Sequence, residues 1–229
     1  MVDTRTFLAV CALAGALAVP VSPVATPASA LIAGLAGYFG LRVWRWSRLP
    51  GAARANGPSG FDRVAWLAGA FVIGLVAGLL ILAVIRLFVE PAVPSAGARI
   101  AAAGTLPIWR RLVIIYVAAV TEELVFRLLL LSLIAGALTR VLRRHAEAPT
   151  QGVVWTANLL SALAFGVVHL PAWTALGPLS TGLIMMVLML NAFGGLVMGH
   201  IFVTRGIVAA MWAHAGGDCA IQLIGPLTG

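Results

Sequence analysis

Glu122 and Glu123 lie side by side within a long apolar run, and Arg127 follows four residues after the second. The segment reads Val120-Thr121-Glu122-Glu123-Leu124-Val125-Phe126-Arg127, between the apolar stretches 112–120 and 128–138. In a membrane span each such charge costs about 2.5–3.5 kcal/mol at the bilayer centre, so these groups usually face a bundle interior or a wet cavity. On a helix Glu123 and Arg127 share a face and can form an ion pair that offsets the burial of both. Glu122 points about 100° away and has no partner within its own helix. One carboxylate is then structural and the other is free to act as a general base. The alternative is that all three form a purely structural polar network between helices.

Two further polar sets lie on other apolar runs. Phe165-Gly166-Val167-Val168-His169 ends one of them, with Phe165 and His169 on one face and Asn158 about three turns earlier on the same face. Another reads Trp212-Ala213-His214-Ala215-Gly216-Gly217-Asp218, with His214 and Asp218 four apart among small residues that suit close helix packing. Each set has a plain structural reading: His169 as a helix-end cap, and His214–Asp218 as a hydrogen bond stapling two helices. Three such sets on three spans, with few charges elsewhere in them, point to one shared cavity. His200 has no partner in its own segment and reads as peripheral, and His145 sits in an arginine-rich connection and reads as solvated. Met185, Met186 and Met189 read as core or lipid-facing packing, and the tryptophans near span ends, such as Trp109 and Trp155, as interfacial anchors.

The elements that must position these groups follow from composition. The chain has 229 residues, of which 62% are hydrophobic and 10% charged, against about 25% charged in soluble domains. The mean hydropathy is +1.05. Several runs approach or exceed the ~20 apolar residues that cross a bilayer. The expected fold is all-α, a polytopic membrane bundle of about seven to eight transmembrane helices. Seven spans are readable, at residues 7–20, 28–44, 64–88, 108–138, 152–169, 179–203 and 206–224. Residues 1–50 form an N-terminal pair of membrane helices that could be an appendage. Residues 62–229 form the core, with all three polar sets within 108–224. Pro91 and Pro94 open an irregular link that reaches Pro107. The first apolar stretch is followed by Ala28-Ser29-Ala30, which resembles a signal-peptidase site, but a retained helix acting as a signal anchor is favoured over cleavage because Arg5 is balanced by Asp3.

The net charge of +8 comes entirely from arginines, most of them in short connections between spans, and no basic patch is interleaved with aromatics. The charge therefore reads as positive-inside bias and excludes nucleic-acid binding. The arginines around residues 45–63 and 140–144 place those connections in the cytoplasm, with the N-terminus inside, while Arg110 and Arg111 argue the other way. Cys11 and Cys219 lack the spacing of a disulfide framework or a metal knuckle and read as small buried hydrophobes. The location is a cell membrane, multi-pass. The lysine-free, alanine- and arginine-rich composition points to a GC-rich bacterial genome and thus a bacterial plasma membrane.

In this order, Glu122-Glu123-x-x-x-Arg127, Phe165-x-x-x-His169 and His214-x-x-x-Asp218 resemble the CAAX-protease and bacteriocin-processing family of membrane proteins. The resemblance covers roughly residues 108–224. It implies a glutamic-type intramembrane endopeptidase with no metal and no cofactor, acting on a membrane-associated peptide or protein, possibly lipid-modified. By that resemblance Glu122 and His169 activate a water, His214 and Asp218 stabilise the oxyanion, and Glu123 and Arg127 hold the site together, with Phe165 and Asn158 as supports. The family's best-understood pattern has Asn at the last position. An ionised Asp only accepts hydrogen bonds, so Asp218 is either protonated or orients His214. Two other readings use the same residues. One is a zinc protease with Glu122, His169, His214 and Asp218 as ligands, though no His-Glu-x-x-His segment is present. The other is a non-enzymatic membrane protein, a proton-coupled transporter or an immunity or regulatory scaffold.

Overall fold

A computed structural model describes residues 26–50, 61–142, 146–174 and 179–228, and these hold helices and turns with no strand among them. The helices are α1 (Thr26–Ser47), α2 (Phe61–Val84), α3 (Pro94–Ala103), α4 (Ile108–Glu123), α5 (Ser132–Leu142), α6 (Gln151–His169), α7 (Pro171–Thr174), α8 (Thr181–Arg205) and α9 (Ile207–Cys219). Three π-helical pieces extend them: Ile85–Val89 after α2, Leu124–Leu131 joining α4 to α5, and Ala220–Ile224 after α9. The expected span at 7–20, Cys11 and His145 lie outside the described residues.

Five helical segments among the described residues are long and apolar enough to cross a membrane: Asp62–Val89, Ile108–Leu142, Gln151–Thr174, Thr181–Arg205 and Ile207–Leu227. The outer faces of these segments are apolar. Val72, Val76 and Leu80 on α2, Leu159 and Val167 on α6, and Phe193 on α8 are exposed, which suits lipid and not water. The chain is an all-α, multi-pass membrane protein. The methionines divide: Met186 is buried, while Met185 and Met189 are exposed on the same helix. Helix α1 lies outside the five, yet its Ala33 and Ala36, with Leu49 just beyond its end, join Leu124, Leu128, Leu131 and Phe202 in the main core.

Small residues set how the helices approach. Helices α2 and α9 cross so closely that a Cβ on Gly74 would overlap the Ala213 carbonyl, and one on Gly216 would overlap the Phe71 carbonyl. This seam is available because α9 carries Ala213, Ala215, Gly216 and Gly217 around its polar pair. Gly206, at φ 93°, breaks the chain between α8 and α9, a conformation that costs a glycine little and other residues more. The link 90–107 departs from the irregular coil expected of it. Pro94 takes the first turn of α3, where its missing N–H is no loss, and the alanine-rich segment that follows favours helix. Pro171 likewise opens the short α7 instead of ending the helical segment.

Candidate active site

Helix α4 ends at Glu123 and passes directly into the π-helical stretch Leu124–Leu131. The sequence offers no sign of this change of pitch. The backbone bonds of the stretch run to the fifth residue instead of the fourth, and a neighbouring helix adds a contact: Ser161 on α6 donates its hydroxyl to the Phe126 carbonyl at 2.7 Å. Such π segments recur at functional sites. Here the segment begins at the glutamate pair and contains Arg127.

Glu123 and Arg127 form the expected ion pair, with Nη1 and Oε1 3.2 Å apart and both side chains at 0–2% exposure. Arg127 is held further by a 3.3 Å bond from Nη2 to the Gly195 carbonyl on α8. Its guanidinium also lies 4.8 Å from the centre of the Phe165 ring. The same Glu123 Oε1 lies 2.8 Å from Nδ1 of His214 on α9. A carboxylate paired with arginine accepts, so Nδ1–H is the donor and the ring orientation of His214 is fixed by Glu123. The sequence did not reveal this contact, because it joins two spans 91 residues apart.

Glu122 turns the other way, into a cavity of about 350 Å³ walled by α2, α4, α6, α8 and α9. Its Oε2 lies 3.5 Å from His214 Nε2 and 4.0 Å from His169 Nε2. His169 Nδ1 donates to the Phe165 carbonyl at 2.7 Å, which leaves Nε2 of the neutral ring as an acceptor on the side of Glu122. A water about 2.8 Å from each can sit between two atoms at that separation. Asp218 lies on the Nε2 side of His214, 3.8 Å away, too far for a hydrogen bond. The side chains of Glu122, His169 and Asp218 keep 26–29% exposure, all of them lining the cavity. Phe165 is the packing hub: its ring centre is 4.5 Å from that of His169, 6.0 Å from that of His214 and 5.1 Å from that of Phe126.

The structure thus brings Glu122, Glu123, Arg127, Phe165, His169, His214 and Asp218 to one place. Asn158 stands apart from the cavity wall. It is buried between α6 and α8, where its amide donates to the Leu196 carbonyl at 3.0 Å. His200 is exposed and stacks on Trp155, and Cys219 is half-buried rather than fully enclosed. Among the described residues, no three His, Cys, Asp or Glu side chains are placed to hold a metal ion together.

Three polar residues of the cavity lie outside the sequence-derived set: Asn191, Gln222 and Arg99. Asn191 had a signal, as a lone amide in the middle of an apolar span, and Gln222 had a weaker one, four residues beyond Asp218. Arg99 had none. It reaches the cavity from α3, donates from Nη1 to the Ala172 carbonyl, and stacks 4.8 Å over Trp173. Burial there lowers its pKa from the ordinary value. Helix α3 therefore contributes one side chain, Arg99, to the cavity lining.

Comparison with known proteins gives a family and no individual relative. A family model described as type II CAAX prenyl endopeptidase, Rce1-like, matches residues 104–220. The comparison with curated proteins finds no match, and neither does the comparison with solved structures. The matched region is more than half of the chain and takes in all three polar sets, from Glu122 to Asp218, so the chain belongs to the Rce1-like family of type II CAAX prenyl endopeptidases.

Proposed function

We propose that this chain hydrolyses a peptide bond of a membrane-associated peptide or protein within the bilayer, with Glu122 as general base. One observation carries the reading: a single carboxylate oxygen, unpaired within its own helix, faces the Nε2 atoms of two histidines from two other spans at 4.0 and 3.5 Å. Glu122 and His169 hold a water between them. Glu122 takes one proton from it as the water oxygen attacks the scissile carbonyl. The resulting oxyanion faces His214. Collapse breaks the C–N bond, and the proton held by Glu122 passes to the leaving amine.

His214 can assist in only one protonation state. Its Nδ1–H is committed to Glu123, so Nε2 donates to an oxyanion only when the ring is an imidazolium. Arg127 and Glu123 support this by position, holding the ring where the oxyanion forms. Asp218, as a carboxylate, accepts and cannot donate to the oxyanion itself. No step calls for a metal or another cofactor.

The test uses purified protein in lipid bilayers with internally quenched peptides that carry a prenylated cysteine. Cleavage should vanish in Glu122→Ala and in His169→Ala and persist with chelators present. Activity lost on chelation and restored by zinc would replace this mechanism with the metal-dependent one. Unaltered biological activity in a Glu122→Gln protein would defeat the hydrolase reading altogether.

A further inference from the structure

A peptide that enters a cavity between helices must find partners for its own backbone groups where water is scarce. Enzymes built on sheets can offer a strand edge. The described residues contain no strand, and the helices around this cavity bond their backbone groups internally. Side chains are left to supply the partners. A carboxamide suits this task, because it donates and accepts at once, as a peptide group does.

Two carboxamides line the cavity. Asn191 lies near the middle of the 25-residue α8, half-buried. One of its N–H groups goes to the Val187 carbonyl at 2.8 Å, and its oxygen and second N–H form no further bond among the described residues. It sits one turn before Gly195, whose carbonyl holds Arg127. Gln222 follows His214 and Asp218 at steps of four, and the π turn Ala220–Ile224 lets Ile221 and Gln222 both reach the wall. Its main-chain carbonyl is fixed by Arg111 at 2.9 Å, while its side-chain amide bonds to nothing among the described residues. Neutral amides inside a membrane bundle are costly unless water or a ligand completes them, and here they are open to the cavity and free to take a ligand.

We propose that Asn191 and Gln222 form a main-chain subsite that hydrogen-bonds the backbone amides of an extended peptide on either side of the scissile bond. The inference rests on the peptidase reading above. Such a subsite aligns the peptide without reading its side chains.

The experiment measures kcat/KM on fluorogenic peptides with a prenylated cysteine, in which each non-scissile peptide nitrogen is methylated in turn. The wild-type protein should lose about tenfold at one or two positions, the cost of one hydrogen bond. Asn191→Leu and Gln222→Met, both close in shape to the originals, should start about fivefold to tenfold lower on the unmodified peptide, chiefly through KM. Each variant should then be indifferent to methylation at the position it serves. A wild-type protein that tolerates methylation at every non-scissile position overturns the subsite without recourse to any variant. Variants that keep the full methylation sensitivity of the wild type overturn the assignment to these residues. A wild-type protein that cleaves no peptide overturns the peptidase reading first and this inference with it.

Discussion

Glu122 and Glu123 are adjacent in sequence and alike in chemistry, yet they belong to opposite halves of the polar centre. The inner half, Glu123 with Arg127 and Nδ1 of His214, is sealed, and the two acid–base side chains of its ion pair have 0–2% exposure. The outer half, Glu122 with His169 and Asp218, opens on the cavity at 26–29% exposure, and none of its three groups contacts another at hydrogen-bond distance. His214 joins the two, with one ring nitrogen in each. A turn of about 100° between successive residues of one helix is enough to separate a carboxylate that builds the site from one that remains available to it.

Mutation should affect the two halves differently. Glu122→Gln keeps shape and removes the base, so turnover should fall by about 10²–10⁴, while thermal stability in detergent stays within about 0.5 kcal/mol. Retained turnover would break the comparison at its outer side. Arg127→Leu should do the reverse. It leaves the Glu123 carboxylate buried without its cation, and breaking such a pair costs about 3–5 kcal/mol. Removing both charges in Glu123→Leu/Arg127→Leu should recover most of that stability, because apolar replacements of buried pairs are often close to neutral. Activity should not return with it, since His214 has lost the acceptor that fixes its ring. A double variant that regains stability and turnover together would show that the inner half contributes packing alone.

The fold and much of the centre were legible from the chain because their signals are local. Apolar length marks a span, and a spacing of four puts Glu123 with Arg127, Phe165 with His169, and His214 with Asp218. Contacts between spans were not legible. The bond from His214 to Glu123 joins α9 to α4, and neither segment alone shows that the two pack against each other. The helical link at 94–103 is hidden in the sequence because Pro91 and Pro94 suggest a break, although Pro94 occupies a position where proline starts a helix. The π stretch after Glu123 is not legible because no residue type encodes it. Its carbonyl partner, Ser161, comes from another helix.

That serine gives a smaller test of the inner half. Ser161→Ala leaves the Phe126 carbonyl buried without its 2.7 Å partner, and stability should fall by about 1–3 kcal/mol. Unchanged melting would mean that the π stretch needs no support from α6.

The smallest effect is expected at Asp218, and it separates two ways in which His214 could be held. If Asp218 oriented the ring, as a His–Asp pair four apart suggests, its loss would free the imidazole and turnover would collapse. The observed separation is 3.8 Å, and the 2.8 Å bond at the other ring nitrogen belongs to Glu123. Orientation should therefore survive Asp218→Asn. The substitution also replaces an acceptor with a neutral side chain that can donate beside Nε2, where the oxyanion is proposed to form. The gained donor favours the oxyanion, while the lost negative charge disfavours the imidazolium of His214 that must also serve it, so the two consequences, each worth about 1 kcal/mol, oppose each other. Turnover of Asp218→Asn should then stay within about tenfold of the wild type. A loss as deep as that of Glu122→Gln would move Asp218 from the rim of the outer half to its centre.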